Sequence, residues 1–109
     1  MGKNRLGEFE HQVLLAILRL GGEAYSVPLV LELEERTGRE VSQSSVFIVL
    51  RRLEKKGLLS SRMDDHAKKE TGRVRRYFSL TPEAITRLKE SRKAFFSLWE
   101  GVSAQLDEA

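Results

Sequence analysis

The side chains of this 109-residue sequence best suited to chemistry are cations, and they are bunched. Between Arg39 and Tyr77 stand eleven Lys and Arg against five Asp and Glu, whereas the rest of the chain holds eight against eleven. A net charge of +3 would only incline a protein towards anionic partners, but basic charge gathered into one segment is what a phosphate-facing surface needs. Inside that segment Ser42, Ser44 and Ser45 precede Phe47, Ile48, Arg51, Arg52 and Lys55. Small hydroxyl residues let the start of a helix approach a groove, and an arginine one or two turns on reaches a guanine edge or a phosphate. On a helical wheel of about 100° per residue, Val46, Val49, Leu50 and Leu53 share one face. Ser44, Ile48, Arg51 and Lys55 share the opposite face, and Arg52 flanks it. Ile48 is out of place among them. It either meets a thymine methyl in the major groove or packs under a neighbouring element.

An amphipathic helix with a basic face is usually just solvated on that side, so the flanking elements decide the reading. Phe9, Val13, Ile17 and Leu20 recur at helical spacing from Glu8 to Leu20 and stop at Gly21-Gly22. Ser26 is the expected cap of a second, short helix with Pro28 in its first turn and Gly38 at its end. Val41 is briefly extended, Ser42 caps the third helix, and Gly57 stops that helix after Lys56. Leu58 to Asp64 and Arg73 to Leu80 then read as two strands, with the polar stretch Asp65 to Gly72 between them. That is a hairpin with a charged tip, and three helices followed by such a hairpin describe a winged helix-turn-helix. By the two-residue period Arg73, Arg75 and Tyr77 share the solvent or phosphate side. Val74, Arg76, Phe78 and Leu80 share the other, where Arg76 is a misfit relieved by strand twist or by its reach. Lys68 and Lys69 in the tip are expected phosphate contacts, weakened by Asp64, Asp65 and Glu70 beside them.

Composition narrows the remaining classes. Hydrophobic residues at 40% and charged residues at 32% describe an ordinary globular chain of one-domain length. The longest apolar run, Val13 to Leu18, falls far short of the roughly 20 residues needed to span a bilayer. No signal-peptide pattern precedes it, so no membrane role and a cytoplasmic location are expected. There is no Cys, hence no disulfide or thiolate site. With only His11 and His66, no nucleophile elbow, no phosphate-binding Gly-rich loop and no metal-ligand spacing, neither catalysis nor a cofactor is expected. Asp64-Asp65-His66 reads as a solvated charge run rather than a metal cluster.

Several strings, taken together, resemble the PadR-like family of bacterial winged-helix transcription regulators. They are Tyr25-Ser26, Val41-Ser42, Ser44-Ser45-Val46-Phe47, Leu50-x-x-Leu53-Glu54-x-x-Gly57-Leu58-Leu59 and Arg75-Arg76-Tyr77-Phe78-Ser79-Leu80-Thr81, within a pattern running from Leu6 to Leu106. Two positions depart from the family: Phe47-Ile48 stands where Tyr-Pro is usual, and Ala84 stands where a Gly often follows the Thr by three. A tyrosine hydroxyl bond to phosphate therefore does not carry over to Phe47. The resemblance implies a homodimer with its recognition helix in the major groove and its wing on the flanking backbone, often with a small-molecule effector. It further implies that Phe95 and Trp99 line a dimer-interface pocket for a flat hydrophobic ligand.

Thr81-Pro82-Glu83 opens a last helix, with no breaker before Gly101. Ile85, Leu88, Arg92, Phe95, Trp99, Val102 and Leu106 follow at alternating steps of three and four, a seam interrupted only by Arg92. A helix of about 25 residues extends roughly 37 Å, beyond what a three-helix core of this size covers. Phe95 and Trp99 either fold back onto the first helix or pack against a second copy, and the length favours the copy. The expected protein is thus mainly α with a small β-hairpin. Residues 1–80 form a winged helix-turn-helix that binds DNA, and residues 81–109 a long dimerisation helix. Its expected function is sequence-specific regulation of transcription, by repression, on double-stranded DNA. The rival with the same fold is a protein-interaction or scaffold module.

Overall fold

A computed structural model describes residues 5–64, 72 and 74–109. Helix α1 (Glu8–Arg19) opens on Glu8 and Glu10, which complement its positive end. It ends because Gly21 and Gly22 adopt φ of +99° and +97°, a region costly for any side chain. Amides of Gly21 and Gly22 return to the carbonyls of Leu18 and Ile17. A two-residue strand β1 (Glu23–Ala24) follows, too short to leave a period in the sequence.

Helix α2 (Ser26–Thr37) includes Ser26 rather than being capped by it. Tyr25 occupies the cap position in extended conformation as the chain leaves β1, and the Ser26 hydroxyl instead accepts from Gln43 Nε2 at 2.9 Å. Gly38 ends the helix in the left-handed region, as expected. Helix α3 (Gln43–Lys55) is capped by Ser42, whose Oγ accepts from the Ser45 amide at 3.1 Å. Strands β2 (Leu59–Asp64) and β3 (Arg75–Leu80) form the hairpin, and among the described residues the sheet is antiparallel in the order β1-β3-β2. Leu58, expected in the strand, serves the turn instead: its amide donates to the Leu53 carbonyl.

The register aligns Ala24, Phe78 and Ser61 on the inward side. Phe78 is fully buried under Val13, Leu14 and Ile17 of α1, Leu29 and Leu33 of α2, and Val46, Val49, Leu50 and Leu53 of α3, which share one core. Truncating such an aromatic to alanine typically costs about 3–5 kcal/mol.

Helix α4 (Pro82–Trp99) is capped by Thr81, whose Oγ1 accepts from the Ala84 amide at 3.2 Å, with Pro82 at its first position. Ala84 and Leu88 complete the core. The expected uninterrupted helix is broken: Glu100 is extended, Gly101 turns at φ +83°, and α5 (Ser103–Glu108) follows. Val102 and Leu106 of the seam lie beyond that break. Among the described residues no helix is long and apolar enough to cross a membrane, and no group of three or more potential ligands is placed to hold a metal.

Candidate nucleic-acid interface

Helix α3 follows α2 through a turn held by side chains. Glu34 Oε2 accepts from the Val41 amide at 3.0 Å, and Thr37 Oγ1 donates to the Leu33 carbonyl at 2.7 Å. With the Gln43 to Ser26 bond, these contacts fix the angle at which the start of α3 leaves the body. Val46, Val49, Leu50 and Leu53 face inward as the period requires, and Ser44, Ile48, Arg51, Arg52 and Lys55 are all exposed. The Ser42 hydroxyl donates to Ser45 Oγ at 2.7 Å and lies 3.4 Å from Ser44 Oγ, so the three serines form one small polar cluster at the helix start.

Ile48 is 58% exposed, so more than half of its surface is not covered by the protein's own elements. Phe47 is 41% exposed, and its ring meets Phe78 edge-on at 6.1 Å, so it joins the helix to the sheet. The side chains of Arg52 and Lys55 form no hydrogen bond or ion pair among the described residues, and the Arg52 charge acts on the Glu10 carboxylate of α1 only from a distance. Arg51 lies 3.4 Å from Glu54.

Lys56 is drawn away from this surface. Its Nζ donates to both oxygens of Glu10, at 2.8 and 3.0 Å, and to the Arg5 carbonyl at 3.2 Å. Burial alone would raise the Glu10 carboxyl, but the Gly7 amide at 2.8 Å, Lys56 and the nearby Arg52 charge outweigh it and hold the pKa below its ordinary value. In the sequence Glu10 looks like a first-turn acidic residue and Lys56 like a helix-end cation; only their proximity makes them a clamp between α1 and α3.

The outward side of the sheet carries a ladder. Arg75 lies over the Tyr25 ring at 4.5 Å, Tyr25 meets Tyr77 edge-on at 5.3 Å, and Arg62 covers Tyr77 at 4.7 Å. Arg62 donates to Glu23 at 2.9 and 3.2 Å, and Ser79 Oγ donates to the same carboxylate at 2.6 Å. The Arg62 hydrogen bond, then that of Ser79, lower the Glu23 pKa against its slight desolvation. Arg75 and Tyr77 were expected on one face by period, but Tyr25, Glu23 and Arg62 join them only through the strand register. Arg76 escapes its apolar neighbours by reach: Nη1 donates to Ser61 Oγ at 2.9 Å. Lys68, Lys69 and Arg73 lie outside the described residues, as do Asp65, His66 and Glu70.

The seam candidates divide. Leu88 is 7% exposed and belongs to this chain's own core, and Ile85 is half-buried. Arg92, Phe95, Trp99, Val102 and Leu106 are exposed, with Phe95 at 56%. Phe95 touches α1 at its edge, its ring 6.2 Å from that of His11, whose pKa burial lowers. A groove of about 440 Å³ runs between α1 and α4 over His11, Leu15, Leu18, Ile85 and Phe95. A second hollow of about 420 Å³ lies between α4 and α5, over Phe95, Leu98, Trp99, Val102 and Leu106.

Three helices, a hairpin and an exposed basic third helix define a winged-helix protein. The sequence matches the transcriptional regulator PadR-like family over residues 14–90, and the chain belongs to that family. No curated protein matches it in sequence. Similar solved structures include a PadR family transcriptional regulator from Eggerthella lenta, 27% identical, with 91% of this chain and 87% of that one covered and a TM-score of 0.65. A PadR family transcription regulator from hypervirulent Clostridium difficile is 19% identical, covering 88% and 97%, with a TM-score of 0.71. A winged-helix DNA-binding protein from STIV shares the fold at 13% identity, covering 84% and 90%, with a TM-score of 0.67.

Proposed function

We propose that this transcriptional regulator is a repressor that binds an operator as a homodimer, with α3 in the major groove. The observation carrying this reading is the surface of α3: Ser44, Ile48, Arg51, Arg52 and Lys55 lie exposed on the side opposite four core residues. Nothing in the body of the protein gains from an isoleucine there, and Arg51 alone of the three cations has an ion pair, itself exposed, whereas base edges, thymine methyls and phosphates suit each of them. Arg51 or Arg52 reads a base. Ser42, Ser44, Ser45 and Lys55 meet the backbone, and Lys68, Lys69, Arg73 and Arg75 extend that grip along the wing.

Dimerisation supplies the second half-site. The apolar surface of Phe95, Trp99, Val102 and Leu106, with Leu15 and Leu18 of α1 beside it, is the face offered to the partner. A two-fold axis through it sets two copies of α3 about one helical turn of DNA apart. Phe95 and Trp99 would also line a site for a flat hydrophobic effector. In this arrangement residues 1–80 contact DNA and residues 81–109 join the subunits, and the protein works where the DNA is, in the cytoplasm.

The test is binding-site selection from genomic fragments with the purified protein, followed by anisotropy titrations on the selected duplex and on a random one. Preference for the selected duplex is expected, with log K falling against log salt at a slope of roughly −4 to −8 for a dimer neutralising that many phosphates. A flat salt dependence with no preference would show instead a winged helix used as a protein-binding module.

A further inference from the structure

Between the recognition helix and the wing sits one carboxylate. Glu54, near the end of α3, places Oε1 3.4 Å from Arg51 Nη1, one turn earlier on the same helix. Its Oε2 accepts from Ser61 Oγ on β2 at 2.5 Å, and Ser61 Oγ accepts in turn from Arg76 Nη1 on β3 at 2.9 Å. The direction of this chain is forced. A guanidinium only donates and a carboxylate only accepts, so the single hydroxyl proton of Ser61 must point at Glu54. An exposed ion pair three residues apart on a helix contributes little by itself. Here the short charge-assisted bond from Ser61 fixes Glu54 against the sheet, and the fixed carboxylate in turn faces Arg51 as an ion pair, biasing where the guanidinium rests.

A carboxylate on a DNA-facing surface opposes phosphate and weakens sequence-independent attraction. What it supplies is orientation. Holding Arg51 by Nη1 leaves Nε–H and the Nη2 hydrogens for a two-bond contact with a guanine edge, and a side chain ordered before binding loses less freedom on contact. Arg52 and Lys55, the other outward cations of α3, have no such tether among the described residues.

We propose that Glu54 is a positioning residue for operator specificity, aligning Arg51 of α3 and, through Ser61, setting Arg76 of the wing at a fixed offset from it. This rests on α3 being the recognition helix. It assigns base discrimination to a residue that need not touch DNA, and it absorbs the arginine that the strand period leaves on the apolar side.

The experiment compares full-length wild type, Glu54→Gln, Arg51→Ala and the double variant by anisotropy, on the selected duplex and a random duplex at one salt concentration. Glu54→Gln removes a negative charge, so affinity for random DNA should rise, while the ratio of specific to non-specific affinity should fall about three- to tenfold. In the Arg51→Ala background the same substitution should leave that ratio unchanged, because the group it orients is gone. An unchanged ratio in the single variant overturns the proposal, and so does an equal fall in both backgrounds. Ser61→Ala cuts the same chain without altering charge; if Glu54→Gln loses its cooperative melt, a retained ratio in Ser61→Ala overturns the proposal and a fall supports it. A wild type with no sequence preference removes the recognition-helix reading itself, and the role of Glu54 with it.

Discussion

Replacing Lys56 by methionine tests the clamp that holds the end of α3 to α1. The Lys56 side chain is 20% exposed and that of Glu10 7%, with Nζ 2.8 Å from Oε2. Methionine matches the aliphatic stem but leaves the carboxylate without its cation. Removing one partner of a buried pair costs about 3–5 kcal/mol. Here Lys56 keeps part of its surface in water and the Gly7 amide remains on Glu10, so a loss of about 2–3 kcal/mol at neutral pH is expected. In a domain of this size that lowers the melting temperature by about 8–15 °C. The pH dependence is the sharper signature. In the wild type the Glu10 pKa is depressed by folding, so its contribution is present above the unfolded value and is lost only as pH falls through the lower, folded one. In Lys56→Met the hydrogen bond and charge of Lys56 no longer oppose burial, so the carboxyl rises from its wild-type value and takes up a proton earlier on acidification than in the wild type. The deficit of the variant should therefore be largest at neutral pH and shrink towards about pH 4. Thermal melts followed by circular dichroism across that range decide it. A variant within about 2 °C of wild type at neutral pH, or a deficit that stays constant on acidification, would refute the clamp.

Arg51→Ala should relax sequence preference, at about 1–3 kcal/mol if it reads a base, whereas Lys68→Ala and Lys69→Ala should weaken selected and random duplexes alike; anisotropy on both separates the two roles. Removing residues 94–109 should give a monomer that keeps the cooperative melt of the core, since Leu88 and Ala84 remain, but loses about 10²- to 10⁴-fold in operator affinity. Sedimentation equilibrium checks this, and a full-length protein monomeric at tens of micromolar contradicts it. Arg92→Leu, which replaces the one charge in the apolar row, should tighten self-association or alter its stoichiometry on the same instrument. Tyr25→Ala should free Arg75 and the wing edge, lowering affinity for all duplexes by a similar factor while leaving their ratio in place.

Local chemistry was enough to read most of this molecule. The 3.6-residue period separated Val46, Val49, Leu50 and Leu53 from the exposed Ser44, Ile48, Arg51 and Lys55, and Ser42 and Thr81 capped the helices assigned to them. Gly21, Gly38 and Gly57 stopped helices where their conformational freedom allowed it. Each of these depends on residues within a turn or two of one another, and such short-range terms are written directly in residue type and spacing. Gly101 was visible as a breaker, yet the row of apolar residues running past it reads as continuous because spacing alone does not register a reversal at one peptide. Other features needed the fold. Ser26 accepts from Gln43 across the helix-turn-helix, Lys56 clamps Glu10 from 46 residues away, and Arg75, Tyr25, Tyr77, Arg62 and Glu23 stack across three strands. Glu54, Ser61 and Arg76 likewise meet only because β2 and β3 pair in one register against the end of α3. A side chain's type states which partners it can take, but sheet register and helix crossing angle, both set by burial of Phe78 and the core around it, determine which partner comes within hydrogen-bond reach.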